Sequence, residues 1–206
     1  MIVKVCGLKY KENIYDICQT GVDFIGFIFY KKSPRYVENQ LETDVISEIP
    51  NNIKKIGVFV NSTVDEIKKL IAIYDLTGVQ LHGNESPELC RLFKKECIVI
   101  KAFSMRDDFD FSILENYVSC CDYFLFDTFS ADYGGSGLKF NWQILQKYRY
   151  DIPFFLSGGI SIEDVDLIRN FSHPQFYGID INSKFEVKPG FKDVEKVRKF
   201  ISLIKK

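Results

Sequence analysis

The sequence predicts an α/β fold, a single-domain (β/α)8 TIM barrel spanning residues 1–206, and three observations point to it. Eight short segments recur along the 206 residues, and most are apolar throughout, as parallel strands covered on both faces are. Helical patterns lie between these segments. An open doubly wound sheet more often has about five or six parallel strands, so the number of segments favours the closed barrel.

The predicted strands are short and rich in β-branched and aromatic residues, which fit the surface of a sheet. Each strand–helix unit averages about 26 residues, which is short for a fold that usually has about 250 residues. The alternative is that one weak segment, Gly78–Leu81, is not a strand. In chain order the predicted strands are Ile2–Cys6, Phe24–Phe29, Ile56–Val60, Gly78–Leu81, Cys97–Lys101, Tyr123–Asp127, Pro153–Leu156 and Phe176–Asp180.

Helices are predicted where apolar residues recur at helical spacing behind a capping residue. The helix over 63–74 has Glu66 in the capping-box position. Ser86 and Pro87 supply a cap and a first-turn proline to the helix that follows them. The remaining helices are predicted over 13–20, 41–49, 107–120, from Ser161 onward and over 193–204.

The composition narrows the function classes. With 46% hydrophobic residues, 27% charged residues and a net charge of −1, nothing indicates a partner that is a nucleic acid or a membrane surface. Lysines interrupt the first apolar run, so no signal peptide is predicted and a cytoplasmic location is expected. The six cysteines contain no CxxC and there are two histidines, so we expect free thiols and no metal site.

Polar residues gather where the predicted strands end, and in a barrel the loops after the strands build the active site. A glycine-rich loop, 134–137, follows the sixth strand. The residues at the strand ends are Cys6, Arg35, Gln80, His82, Lys101, Asp127, Ser157, Gly158, Gly159, Asp180, Asn182 and Ser183.

Two of these loops are typical of a phosphate site. Gly158 and Gly159 leave backbone N–H groups open to close approach. Asn182 and Ser183 are placed to begin a short helix whose N-terminus faces an anion. Loops after the seventh and eighth strands form the usual phosphate site of such barrels, although turns alone also need glycine. We therefore expect a small phosphorylated molecule as the partner.

Three further side chains are candidates for chemistry, each with a plainer alternative. Cys6 ends the first strand, where it is a nucleophile, a base or simply part of the packing. Asp127 follows an apolar run that desolvates it partly, which suits a proton donor, or it caps the next loop. Arg35 can fork onto a carboxylate or lie in solvent. Gln80 and His82 more often order a strand end than react.

The quoted residues resemble those of the phosphoribosylanthranilate isomerase family, in order and from end to end of the chain. No single segment is specific, but the set is. The segments are VKVCGLK (3–9), GFIFYKKSPRYV (26–37), KKIGVFVN (54–61), GVQLHGNE (78–85), FDTFSADYGGSG (126–137), FLSGGI (155–160) and GIDINSKFEVKPGFKD (178–193).

The resemblance implies a small (β/α)8 barrel that needs no cofactor or metal and occurs as a monomer or a homodimer. It implies an Amadori rearrangement of N-(5-phosphoribosyl)anthranilate, with Cys6 as general base and Asp127 as general acid. It further implies that Arg35 holds the anthranilate carboxylate. The loops at Gly158-Gly159 and Asn182-Ser183 are expected to hold the phosphate, and Gln80, His82 and Asp180 are further candidates for substrate binding.

The chain departs from the family pattern beside the phosphate loop, at Ser157, Asn182 and Lys184. An unperturbed thiol has a pKa of about 8.5, so a base at neutral pH needs a stabilising group, which the sequence does not identify. The nearest rival is another phosphate-binding barrel that isomerises a sugar phosphate, typically with two aspartates. A non-catalytic barrel subunit is the rival from another class.

Overall fold

Eight parallel strands close into a barrel, which confirms the predicted (β/α)8 fold. The computed structural model describes residues 1–37, 41–128 and 140–206. Each strand pairs with its neighbours in chain order, and β8 returns to β1. The strands are β1 (Ile2–Cys6), β2 (Phe24–Ile28), β3 (Lys54–Phe59), β4 (Gly78–Leu81), β5 (Ile98–Met105), β6 (Tyr123–Thr128), β7 (Phe154–Leu156) and β8 (Phe176–Ile181).

All eight predicted strands are present, with ends that differ by a few residues. The weakest prediction, Gly78–Leu81, is strand β4 and pairs with β3 on one side and β5 on the other. Lys101 does not end its strand, because β5 continues to Met105. The predicted glycine-rich loop 134–137 lies outside the described residues.

Two of the predicted helices differ clearly from the sequence prediction. The predicted helix over 41–49 shrinks to five residues, and 107–120 forms a 3₁₀ helix over Phe111–Tyr117 instead of an α-helix. The tighter 3₁₀ helix rises more per residue, so it bridges two strands with fewer residues, as this short chain requires. The α-helices are α1 (Lys11–Cys18), α2 (Thr43–Ser47), α3 (Val64–Tyr74), α4 (Pro87–Lys94), α5 (Val165–Asn170) and α6 (Val194–Ile204).

The predicted helix caps form as the residue types require. Thr63 accepts a hydrogen bond from the Glu66 backbone N–H at 3.2 Å, and Ser86 accepts one from Leu89 at 3.4 Å. An unpredicted 3₁₀ helix, Trp142–Lys147, follows β6. Within the described residues, no helix has the length and apolar character that crossing a membrane demands.

A small antiparallel hairpin, which the sequence analysis did not predict, follows β8. It pairs β9 (Glu186–Lys188) with β10 (Phe191–Lys192). Gly190 has φ +84° at the turn, a conformation that side chains other than glycine rarely adopt. The buried Asn13 of α1 fixes the hairpin, since it exchanges two hydrogen bonds with the Lys192 backbone at 2.8 and 2.6 Å. The hairpin therefore holds Glu186 and Lys192 over the end of β1.

Two apolar clusters make up the core. The larger lies between the strands and the surrounding helices. The smaller contains only strand residues and fills the barrel interior: Phe24, Ile56, Ile100, Ala102, Leu125 and Phe155. Polar side chains replace apolar ones toward the carboxyl ends of the strands, where Lys4, Gln80 and Asp180 are buried. The interior of the barrel is thus filled by apolar side chains, and its carboxyl end, the barrel mouth, is polar.

Candidate active site

A cavity opens at the carboxyl ends of the strands, the end at which barrels of this fold bind their ligands. The structure brings all of the substrate and catalytic candidates from the sequence to this one cavity, although they come from six strands and their loops. The candidates that line it are Cys6, Arg35, Gln80, His82, Asp127, Gly158, Gly159, Asp180, Asn182 and Ser183.

Cys6 ends β1 with a buried, free thiol. Its neighbour in the β2 register is Gly26. A Cβ atom built on Gly26 would lie 2.8 Å from Cys6 Sγ and 3.3 Å from Lys4 Nζ. The missing side chain on β2 therefore provides the space that the thiol and the ammonium share.

Lys4 is a site residue that the sequence analysis missed. It lies two residues before Cys6 on β1, so strand alternation points both side chains into the barrel. Its side chain is 0% exposed, and its ammonium is 3.0 Å from Asp180 Oδ2 on β8. Asp180 Oδ1 is buried and has no hydrogen-bond partner among the described residues. A substrate hydroxyl in the cavity would satisfy this oxygen.

The electrostatics of Cys6 differ from the simple expectation of an acidic thiol. Burial raises the pKa of Cys6. Two ammonium groups act to lower it, Lys4 most strongly and Lys192 less so. Asp180 pushes the pKa of the thiol further upward. Burial also acts to lower the pKa of Lys4, but Asp180 and Cys6 outweigh it and the pKa lies above the usual range.

Arg35 is already engaged with a carboxylate in this structure. Its Nε and Nη2 atoms donate to the two oxygens of Glu186 at 2.8 and 2.6 Å, the bidentate geometry that guanidinium favours. Lys192 donates to Glu186 Oε1 at 2.7 Å and to Asn182 Oδ1 at 2.6 Å. Burial lowers the pKa of Lys192 to about 8. Arg35 and Lys192 outweigh the effect of burial on Glu186 and keep the pKa of its carboxyl below the usual range.

Glu186 and Lys192 were also missed by the sequence analysis. The signal for them was the Pro189-Gly190 dipeptide, which marks a turn and so announces a hairpin. The hairpin is what returns Lys192 to Asn182 and Glu186 to Arg35.

On the far side of the cavity, three side chains form a row of close polar contacts. Gln80 Nε2 is 2.7 Å from His82 Nδ1, and His82 Nε2 is 3.2 Å from Asp127 Oδ2. With the Gln80 amide donating, His82 accepts at Nδ1, so its Nε2 faces the Asp127 carboxyl group. The row positions the Asp127 carboxyl at the cavity, where it remains 20% exposed.

Lys101 fixes the loop that carries His82. Its buried ammonium donates to four oxygens at 2.7 to 3.2 Å, which belong to Leu81, Gly83, Glu85 and Ala102. A buried charge with this many partners is stable and chemically quiet. Lys101 is therefore a support for the strand end.

Backbone geometry sets the loops after β7 and β8. Gly158 and Gly159 have φ of +90° and +64°, and a Cβ on Gly158 would overlap Thr128 Oγ1. Only glycine fits there, and it leaves the backbone open to a ligand. Ser183 begins a 3₁₀ helix, Ser183–Phe185, beside the same cavity. The described residues contain no group of three or more His, Cys, Asp or Glu side chains suited to a metal ion.

Comparison with known proteins gives one consistent family. The model described as N-(5′-phosphoribosyl)anthranilate (PRA) isomerase matches residues 3–203. Proteins named N-(5′-phosphoribosyl)anthranilate isomerase are 47% identical in Parabacteroides distasonis, over 99% of this chain and 93% of that protein, and 45% identical in Phocaeicola vulgatus, over 100% and 98%. A crystal structure of phosphoribosyl anthranilate isomerase with reduced 1-(o-carboxyphenylamino)-1-deoxyribulose 5-phosphate aligns with a TM-score of 0.85. It is 32% identical and covers 100% of this chain and 99% of that one.

Proposed function

The chain belongs to the N-(5′-phosphoribosyl)anthranilate isomerase family, and from this premise we propose how its barrel mouth carries out the reaction. The protein is an isomerase of tryptophan biosynthesis. In our proposal it converts N-(5-phosphoribosyl)anthranilate to 1-(2-carboxyphenylamino)-1-deoxyribulose 5-phosphate by general acid and general base catalysis. The observation that carries the proposal is that Cys6 and Asp127, from β1 and β6, open into the same cavity.

Asp127 acts first, as the acid. Its proton passes to the furanose ring oxygen, the C1′–O bond breaks, and the anthranilate nitrogen becomes a protonated Schiff base. His82 holds the carboxyl at the cavity through its 3.2 Å contact with Oδ2. The partial exposure of Asp127 allows it to regain its proton from solvent.

Cys6 acts second, as the base. The iminium group withdraws electrons from C2′, so the C2′ proton becomes acidic and the Cys6 thiolate removes it. The electron pair moves onto the nitrogen to give an enolamine, which tautomerises to the ketone. Acid and base must reach different parts of the sugar, which groups on two separate strand ends supply.

The binding groups come from the loops after β2, β7 and β8, which line the cavity. The backbone at Gly158 and Gly159 and the start of the Ser183 turn hold the phosphate. Arg35 holds the anthranilate carboxylate, and its fork already carries a carboxylate of the same geometry, that of Glu186. Substrate therefore shares Arg35 with Glu186 or displaces it. Gln80 and Asp180 each have a buried oxygen without a partner among the described residues, and these accept hydrogen bonds from substrate hydroxyls.

The test is a fluorescence assay on the purified protein. We expect the emission of phosphoribosylanthranilate to decay in the presence of enzyme, with the carboxyphenylamino-deoxyribulose phosphate as the product found by mass spectrometry. No decay at micromolar enzyme would reject the assignment. Turnover of a histidine-pathway aldose phosphate in its place would favour the rival isomerase, and no turnover of either would favour a non-catalytic barrel.

The remaining properties follow the sequence analysis. We propose a single-domain protein that acts in the cytoplasm on a small phosphorylated molecule, as a monomer or a homodimer. Light scattering on a sizing column decides the last point, since the chain mass is 23.9 kDa. A mass near twice that value identifies the dimer.

A further inference from the structure

Among the described residues, three buried lysines lie toward the carboxyl end of the barrel, two on its strands and one on the β9–β10 hairpin, and they differ in how their ammonium groups are satisfied. An ammonium has three N–H donors, and a buried one needs acceptors for them. Lys101 donates to four oxygens, and Lys192 donates to two side-chain oxygens, of Asn182 and Glu186. Within the described residues, Lys4 donates to one oxygen, Asp180 Oδ2.

The atom beside the under-satisfied ammonium of Lys4 is the sulfur of Cys6. Both lie within 3.3 Å of the same point, the position of the absent Cβ of Gly26. Lys4 and Cys6 occupy alternate positions of one strand, so the backbone holds them at a fixed separation. A thiolate is an acceptor that this ammonium lacks, whereas a thiol is a poor one.

We propose that Lys4, held in place by Asp180, is the positioning residue that stabilises the thiolate of Cys6 and thereby makes it a usable base. The inference rests on the proposed role of Cys6. It supplies the stabilising group that the reaction needs and the sequence alone did not identify. The direction of the electrostatics agrees, because Lys4 is the strongest group opposing the effect of burial on the pKa of Cys6.

The other charged groups around Cys6 are less suited to this task. Lys192, on β10, is committed to Glu186 and Asn182, and Arg35 is committed to Glu186. Asp180 on β8 opposes the thiolate directly but keeps the ammonium charged. Asp127 and His82 belong to the opposite side of the cavity.

The experiment measures the thiolate directly rather than through turnover. The rate at which iodoacetamide alkylates Cys6 is followed from pH 6 to 11 by peptide mass spectrometry, in wild type, Lys4→Met, Lys4→Arg and Asp180→Asn. Alkylation of Cys97, which directly precedes β5 at the amino end of that strand, is the internal reference for general loosening. Circular dichroism establishes that each variant is folded.

We expect the midpoint of Cys6 alkylation to rise by about one pH unit or more in Lys4→Met, because an opposite charge at this range shifts a pKa by about 1–3 units. Lys4→Arg keeps the charge and should stay close to wild type. Asp180→Asn should move the midpoint downward, since it removes an anion and frees the ammonium. If the Lys4–Asp180 pair only stabilised the fold, Lys4→Met and Asp180→Asn would not shift the alkylation midpoint in opposite directions.

An unchanged midpoint in Lys4→Met, with Cys97 also unchanged, would overturn the inference. If Lys4→Met does not fold, the double variant Lys4→Met/Asp180→Asn, which leaves no buried charge unpaired, is compared with Asp180→Asn, and equal Cys6 midpoints in the two overturn the inference. Failure of the proposed function looks different: Cys6→Ala would then keep its turnover while the alkylation midpoints still move. If both stand, the pH profile of kcat/KM in Lys4→Arg follows wild type and that of Lys4→Met shifts with its alkylation midpoint.

Discussion

The polar groups on the two sides of the barrel mouth have contrasting surroundings. On the β1–β8 side, Cys6 is buried among charges, with Lys4 0% and Asp180 5% exposed. On the β4–β6 side, His82 and Asp127 are 18% and 20% exposed, and their side chains approach to 3.2 Å. The second side is therefore more exposed to solvent than the first.

This difference matches what an acid and a base need. A carboxyl that gives up a proton must be reloaded, which contact with solvent permits. A thiolate that takes a proton from carbon gains basicity when water is removed, provided that a cation keeps it charged. Such a buried site makes the fold sensitive to mutation, since a buried charge that loses its partner is strongly destabilising.

The largest effect is expected from removing either reacting group. Cys6→Ala and Asp127→Asn should each lower kcat by about 10²–10⁴-fold, the usual contribution of a positioned acid or base. Far-UV circular dichroism should stay unchanged in both. Steady-state kinetics with the fluorescent substrate measures the loss, and near-wild-type turnover in either variant would remove that residue from its role.

The two sides should respond differently in stability. Lys4→Met leaves the Asp180 carboxyl buried without its partner and should cost about 3–5 kcal/mol of unfolding free energy. His82→Asn, on the wetter side, should cost about 1 kcal/mol or less. Urea denaturation followed by circular dichroism compares them, and equal losses would contradict the contrast between the two sides.

The pH dependence should report the buried side. Because burial raises the pKa of Cys6, the thiol form dominates at neutral pH and the thiolate fraction grows about tenfold per pH unit below the pKa. The value of kcat/KM should therefore rise with pH into the alkaline range.

Lys192 titrates in the same pH range, since its pKa is about 8 and its ammonium loses its charge as the pH rises through that value. Lys192→Met removes this titration, so the rising limb that remains belongs to Cys6. A profile that stays flat above pH 7 in this variant would show that a group other than Cys6 is the base.

The smallest effect is expected from loosening the row of polar contacts. His82→Asn should lower kcat about tenfold with little change in KM, the value of one hydrogen bond to a charged group. Gln80→Leu removes the partner of His82 Nδ1 and also the oxygen assigned to a substrate hydroxyl, so it should lower kcat in the same direction and raise KM as well. An unchanged KM in Gln80→Leu would show that Gln80 acts only through His82.

Particular residues show which parts of the fold and of the site the sequence predicted. The strands were predictable because parallel strands read as continuous apolar runs, and Gly78–Leu81 was recovered despite its length. The 3₁₀ helix at Phe111–Tyr117 was not, since helical spacing alone does not separate a tight helix from an α-helix. The motif positions Cys6, Arg35 and Asp127 were found from strand ends and resemblance.

What the sequence analysis missed depends on long-range pairing. Lys4 reads as a charged residue that interrupts an apolar run, and only its partner Asp180, far along the chain, explains its burial. Glu186 and Lys192 depend on a hairpin whose two strands contain five residues together. Arg35 was expected to hold a substrate carboxylate or to lie in solvent, and the structure shows its guanidinium bound to Glu186.

The Lys4–Asp180 pair also ties the chemistry to the order in which the chain is made. A ribosome releases Cys6 near the beginning and the groups that surround it, Asp180 and Lys192, near the end. Until β8 reaches β1, the thiol is an ordinary cysteine in water. In the proposed mechanism, a nascent fragment therefore lacks the charged groups that make the Cys6 thiol reactive, and these groups come together only when the ring of strands is completed.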